Sequence, residues 1–217
     1  MGFEVENMNV HFDKCASDYD RNFYEDLGMC EFYDEIEKQI NICGEPKSIL
    51  VLGCGTGLEI ERIKHSATVT AIDISSGMLE ELKKKELSSK VTLNTICNSY
   101  FDVSFADNNF DLVLSTYSLH HFTVQQKTEL YKKIYKCLKP NACFINGDTV
   151  CNDKDTEINL LNNAMDIYEK KQLPFGSIHI DVPLALDTEL ALLSDAGFSN
   201  VSVERRWNKA TLIKVVK

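Results

Sequence analysis

The chain has 217 residues, 44% of them hydrophobic and 26% charged, with a formal net charge of −10 at neutral pH. These values describe one globular domain with a sizeable core and exclude a chain too polar to fold. The acidic balance argues against nucleic acid as a partner, because the one dense basic run, Lys83-Lys84-Lys85, reads as the solvated face of a helix.

No stretch of about 18 apolar residues occurs, so no membrane span is expected. The opening MGFEVENMNVHFDKC lacks a basic start followed by an apolar block, and Glu6 stands where a myristoylation signal carries Ser or Thr. Neither a secretory leader nor that lipid anchor is expected. Eight cysteines, at 15, 30, 43, 54, 97, 137, 143 and 151, include no CxxC pair. They read as reduced cysteines of a cytoplasmic protein, several of them in the core, rather than as a zinc or thioredoxin-type site.

Met29, Phe32, Tyr33, Ile36 and Ile40 recur at helical spacing and predict an amphipathic helix before the first strand. SILVLG (48–53) reads as a strand, with a helix expected from about Thr56. TVTAID (68–73) is a second strand, followed by a helix through SGMLEELKKKEL. KVTLNTIC (90–97) and FDLVLSTYS (110–118) are the third and fourth strands. Leu130, Tyr131, Ile134, Cys137 and Leu138 mark a helix ended by Pro140, and ACFINGDT (142–149) is the fifth strand. Residues 149–186 break the rhythm: a polar stretch, one helix marked by Ile158, Leu161, Met165 and Tyr168, then LPFGSIHIDVPLAL. This segment reads as an insertion over the strand ends. A helix N-capped by Asp187 and closed at Gly197 follows, then NVSVERR and ATLIKVV. Only Trp207, Asn208 and Lys209 separate those two, so they must form an antiparallel hairpin. The sum is an α/β, Rossmann-like doubly wound, mostly parallel seven-stranded sheet with a C-terminal antiparallel hairpin and a small helical lid. One domain over 1–217 is expected, with 1–45 as an N-terminal helical cap and 150–186 as the lid.

The loop GCGTG after the first strand lets a ligand approach the backbone closely. A dinucleotide fingerprint needs a small residue where this chain has Leu58, and a P-loop needs Lys-Ser/Thr where it has Leu58-Glu59. Glu59 adds a negative charge where a phosphate would sit. A ligand with an adenosine and no phosphate fits better. Asp73 ends the second strand, 18 residues after Gly55, where a carboxylate grips a ribose diol.

VLGCGTG, AIDISSGML, SFADNNFDLVLSTYSLHHF, YKCLKPNACFI, LLSDAGFSNVSV and the opening HFDKCASDYD together carry a family likeness. The chain resembles the class I S-adenosylmethionine-dependent methyltransferases over nearly its whole length. The resemblance implies S-adenosylmethionine as cofactor. It puts Tyr19, Gly53, Cys54, Gly55, Thr56, Gly57, Asp73, Ile74, Met78, Asn98, Ser99 and Ser115 in the cofactor site. Asp73 takes the ribose position, Met78 packs on adenine and Tyr19 closes over the methionine end. Asn98 replaces the Asp that usually holds the adenine amine, and its side-chain carbonyl is an acceptor too.

Methyl transfer from a sulfonium needs alignment and a dry site more than a base. Tyr117, His121 and His179 are the candidate catalytic residues. Tyr117 either lines the cofactor pocket or is core. His121 either touches the acceptor or packs. His179 and Asp181 share a face if extended, as an oriented base or a surface pair. His120 and His121, if helical, face about 100° apart and suit one ion poorly. Asp148 ends the fifth strand without a companion ligand pattern, so no metal is expected. The expected function is methyl transfer from S-adenosylmethionine to a small-molecule acceptor, which the sequence leaves unnamed along with the oligomeric state. One alternative is an enzyme resembling the carboxy-S-adenosylmethionine synthases of tRNA wobble-uridine modification. That reading needs a basic grip on a second carboxylate, for which the chain offers Arg21, Arg205 and Arg206 besides Arg62. The other alternative is a non-catalytic S-adenosylmethionine-binding protein.

Overall fold

The computed structural model describes residues 7–23, 29–174, 177–208 and 210–217. The expectations placed on residues 1–6 and 24–28 of the N-terminal cap, on Phe175-Gly176 of the lid and on Lys209 of the hairpin link lie outside the described residues.

Seven strands form one sheet: β1 (Ser48–Leu52), β2 (Ala67–Asp73), β3 (Val91–Cys97), β4 (Phe110–Thr116), β5 (Leu138–Asp148), β6 (Ser199–Arg206) and β7 (Thr211–Val216). Their order is β3-β2-β1-β4-β5-β7-β6. The first five are parallel, and β7 pairs antiparallel with both β5 and β6. Strand β1 sits centrally, with Leu50 opposite Thr70 on one side and Val113 on the other. Its side chains alternate between two cores: Ile49 and Val51 join one, Leu50 and Leu52 the other. Both faces are covered, which is why β1 reads as a continuous apolar run.

Helix α3 (Cys30–Ile42) covers the first face with Phe32, Tyr33, Ile36 and Ile40. Helix α4 (Ser76–Lys84) adds Leu79 and Leu82, and the Ser75 hydroxyl caps it by accepting from Met78 N at 3.0 Å. On the second face lie α5 (Val124–Cys137), opened by a Thr123/Gln126 capping box, and α7 (Leu186–Asp195). Fully buried Lys127 and Tyr131 of α5 both bind the Glu189 carboxylate of α7, the tyrosine hydroxyl at 2.7 Å. The remaining helices are α1 (Met8–Cys15), α2 (Tyr19–Arg21) and α6 (Lys154–Lys171); Asp13 of α1 and Asp20 of α2 bond Ser75 and Thr56, just past the ends of β2 and β1.

Four local expectations are corrected. No α-helix follows the glycine loop; residues 56–59 turn and a single 3-10 turn spans Ile60–Arg62. Gly57 at φ +80° and extended Ile63 bracket a segment too short for an α-helix. Asp187 lies in the first turn of α7, whose N-cap is Ala185. Pro140 lies within β5, and α5 already ends at Cys137, because the residue before a proline is driven to extended conformations. In α6, Ile158 and Met165 are 45% and 50% exposed, while Glu157, Ala164 and Tyr168 face inward. Ala164 and Tyr168 pack there on Ile178 and Val182, and Glu157 accepts from Ala185 N at 2.8 Å.

Candidate active site

Glycines 53 and 55 turn the chain with φ of +65° and +48°. A Cβ at Gly53 would meet Ser118 Oγ at 2.0 Å, whereas one at Gly55 meets only Met78 Sδ at 4.0 Å and projects into open space. The Asp73 carboxylate braces this loop: Oδ2 accepts from Gly55 N at 2.7 Å and Oδ1 from Ser75 N at 2.9 Å. Burial pushes its pKa up, against the lowering pull of those N–H groups. A carboxylate has about four lone-pair sites, and Asp73 also lines a cavity.

The aspartates of HFDKCASDYD strap the N-terminal helices over the loop. Asp13 Oδ1 accepts from Ser75 Oγ at 2.6 Å and Gly77 N at 2.8 Å. Asp20 accepts from the Thr56 hydroxyl and pairs with Lys85 at 2.6 Å. Beneath the strap lies a cavity of about 250 Å³. Tyr19, Gly53, Gly55, Asp73, Ile74, Met78, Asn98 and Ser99 line it, as do Tyr117 and His121. Cys54 and Thr56 instead line a narrow cleft under the loop beside Glu59. Gly57 faces α4, where a Cβ would come within 2.4 Å of Leu82 Cδ1. Ser115 is fully buried, and its hydroxyl donates to Leu52 O at 3.0 Å. Asn98 Oδ1 accepts from Ser99 N at 2.8 Å and keeps one lone pair.

The sequence reading missed the aromatic walls Phe12, Tyr100, Phe101 and Phe122, which also line this cavity. It also missed the burial of Glu59, 2% exposed, which pushes that carboxyl up to about 7. Glu59 Oε2 accepts from Thr116 Oγ1 at 3.1 Å, while Oε1 has no partner among the described residues.

A second cavity, of about 320 Å³, adjoins the first. The two share Phe12, Tyr19, Tyr117 and His121. Tyr117, on the turn after β4, adopts φ +48°, a strained conformation for an aromatic residue. His120 and His121 lie on a 3-10 turn, not an α-helix, and their rings come within 4.0 Å. His179 lines the second cavity, stacked on His11 with centroids 4.0 Å apart. His120 Nδ1 lies 2.6 Å from Asp148 Oδ1. Burial lowers its pKa, but the Asp148 and Asp181 carboxylates outweigh that and raise it to about 9. Burial and the charge on His120 lower His121. Burial with the neighbouring His121 and His11 takes His179 down to about 4.

A family model described as "Methyltransferase domain" matches residues 49–141. The chain is 26% identical over 190 residues to a carboxy-S-adenosyl-L-methionine synthase of Nautilia profundicola, covering 80% of this chain and 79% of that protein. It is 33% identical over 142 residues to a malonyl-[acyl-carrier protein] O-methyltransferase of Priestia megaterium, covering 64% of this chain but 49% of that one. Among solved structures, a putative O-methyltransferase from Nostoc punctiforme superposes with a TM-score of 0.73 at 20% identity, over 98% of this chain and 62% of that one. The DhpI complex with S-adenosylhomocysteine superposes with a TM-score of 0.70 at 18% identity, over 95% and 93%. With this fold and glycine loop, the chain carries a methyltransferase domain over residues 49–141 and resembles the class I S-adenosylmethionine-dependent methyltransferases. The likeness supports S-adenosylmethionine as the cofactor.

The residues present fit that cofactor. Gly55 leaves a cradle that a side chain would fill, the Asp73 carboxylate lines the same cavity, and in the cleft beside it Glu59 Oε1 is a buried acceptor with no partner among the described residues.

Proposed function

We propose that the chain transfers the methyl group of S-adenosylmethionine to a small-molecule acceptor held in the second cavity. The observation that carries this reading is the wall shared by the two cavities at Phe12, Tyr19, Tyr117 and His121. Bound in the first cavity, the cofactor supplies an already activated methyl group on sulfur. Asp73 accepts from the two ribose hydroxyls, Met78 and Ile74 pack on the adenine, and Asn98 accepts from its amine. Glu59 takes the cofactor's ammonium group through its unpaired oxygen. Tyr117 and His121 orient the acceptor across the shared wall. The strap of α1 and α2 and the lid of residues 150–186 exclude water, and their walls select the acceptor by size.

The likeness to the Nautilia profundicola synthase supports a second reading, in which the cofactor itself is carboxylated. A second carboxylate calls for a cation in the site. Among the described residues no Lys or Arg lines either cavity. Arg21 pairs with Asp18, Arg62 with Asp34, and Arg205 with Glu31 while covering Trp207. Methyl transfer is therefore the better reading.

The test uses S-adenosylmethionine labelled in its methyl group, incubated with the protein and a cell extract split by size. Label in the low-mass fraction, dependent on the protein, is the expected result. Label in protein or RNA, or recovery of a carboxylated cofactor from the purified protein, would refute it.

A further inference from the structure

Beside the cofactor cavity the fold gathers titratable side chains from three distant segments. The turn after β4 supplies His120 and His121, the end of β5 supplies Asp148, and the lid supplies His179 and Asp181. His121 Nδ1 lies 3.1 Å from Asp181 Oδ1, and His120 Nε2 lies 3.5 Å from the same oxygen. One ligand atom from each of these three residues falls within 4.8 Å of the others. Atoms bound to one zinc-sized ion at about 2.0–2.2 Å stand roughly 3–3.5 Å apart.

We propose that His120 Nε2, His121 Nδ1 and Asp181 Oδ1 form a binding site for a divalent first-row transition metal of the zinc or iron(II) kind, with Asp148 as the positioning residue behind His120. Three further observations support the site. His121 is 4% exposed, and its Nδ1 has no hydrogen-bond partner among the described residues despite the nearby carboxylate. That is the spacing of two ligands around one ion, without the alignment of an N–H···O bond. Asp148 is 1% exposed and doubly anchored, Oδ2 accepting from Leu119 N at 2.8 Å and Oδ1 facing His120 Nδ1 at 2.6 Å. It therefore holds the ring with Nε2 turned to Asp181, in the carboxylate–histidine–metal order common behind metal ligands. Finally, the Asp181 side chain is 60% exposed at the second cavity, so the coordination sphere is open on the side proposed to hold the acceptor.

Two imidazoles and one carboxylate suit borderline transition metals. Magnesium and calcium prefer sets made only of oxygen. The chemical consequence rests on the methyl-transfer reading, whereas metal binding itself does not. A hydroxyl or thiol of the acceptor coordinated at an open position loses its proton to solvent more readily. The acceptor's oxygen or sulfur then forms its bond to the methyl carbon as the carbon–sulfonium bond breaks and S-adenosylhomocysteine leaves. The predicted acceptor class is thus a small molecule with a metal-binding hydroxyl or thiol.

The test uses untagged protein stripped with chelator and titrated with cobalt(II) alone, followed by visible absorption, with zinc(II) uptake measured by equilibrium dialysis. One equivalent per chain is expected, undisturbed by excess magnesium. His121→Ala and Asp181→Ala should abolish stoichiometric uptake, and Asp148→Asn should weaken it about 10- to 100-fold. Should His121→Ala fail to fold, Asp181→Ala, at an exposed position, decides alone. Uptake well below one equivalent, or unchanged in a folded Asp181→Ala protein, overturns the proposal. Calorimetry with S-adenosylmethionine on the metal-free protein separates the two readings. Cofactor binding without metal uptake sinks the metal site alone. Loss of cofactor binding in the native, metal-free parent sinks the methyl-transfer reading.

Discussion

Replacing Asp73 with Ala removes two things at once, and the geometry separates their sizes. On the ligand side it removes the acceptor for the ribose hydroxyls. A hydrogen bond to a charged group contributes roughly 1.5–3 kcal/mol. Water entering the vacated space offsets part of two such bonds, so S-adenosylmethionine should bind about tenfold to several hundredfold more weakly. On the protein side the variant strips the N–H groups of Gly55 and Ser75 of their acceptor. A buried donor left unmade costs about 1–3 kcal/mol. With one of the two reaching cavity water, the loss of stability is about 1–3 kcal/mol, or roughly 2–12 °C in melting temperature for a chain of this size. A strand-end carboxylate thus proves to be a structural brace beside its proposed role as a ligand group. Calorimetry with the cofactor, paired with thermal unfolding of the ligand-free protein, reads both numbers. A native Asp73→Ala protein that binds S-adenosylmethionine as tightly as the parent would refute the assignment of the glycine loop and the β2 end.

Glu59, raised by burial to about 7, gives a pH signature. A carboxyl raised above its unfolded value stabilises fully below that value and loses the contribution as pH rises through about 7. The ligand-free parent should therefore lose stability between pH 5 and 8.5, by up to about 3 kcal/mol, relative to Glu59→Gln. Melting curves across that range that stay parallel for the two proteins would contradict this. Gly57→Ala and Gly55→Ala should fail differently. Both place Ala at a left-handed φ and lose some stability by strain, but the first also drives a methyl into Leu82 and should cut stability more, whereas the second has space around its Cβ and should add a larger loss of cofactor binding. Equal effects of both on melting and affinity would show the distinction to be false. Glu189→Ala leaves the buried Lys127 ammonium uncompensated and should cost about 3–5 kcal/mol in urea unfolding. Hydrogen exchange without ligand should run faster in α1 and α6 than in β1, because few backbone bonds tie them to the sheet, and should slow on adding S-adenosylhomocysteine.

The strands were legible because two-sided burial writes continuous apolar runs, and because the three-residue link before β7 permits only one direction. Asp73 and the glycine loop were legible because a strand, a tight turn and a carboxylate at the next strand end form a local pattern. That Gly57 packs on α4 and that the Ser115 hydroxyl bonds Leu52 O are contacts that adjacency in sequence does not report. The helix expected after β1 failed because Gly57 takes a left-handed φ that no periodicity reports. The inward face of α6 was misread because Glu157 and Ala164, not Ile158 and Met165, meet the extended lid segment from Ile178 to Ala185. The side chains around Asp181 could not be assembled from spacing, since His120 and Asp148 are 28 residues apart and the lid residues come from further along the chain.

The central claim is that the sulfur of the cofactor faces the wall shared by the two cavities. A crystal structure with S-adenosylhomocysteine measures this directly. The account predicts the ribose on Asp73, the ammonium beside Glu59, and the sulfur turned toward Tyr117 and His121 with open space beyond it. A sulfur directed away from those two residues, or a ribose that leaves Asp73 unused, would contradict it.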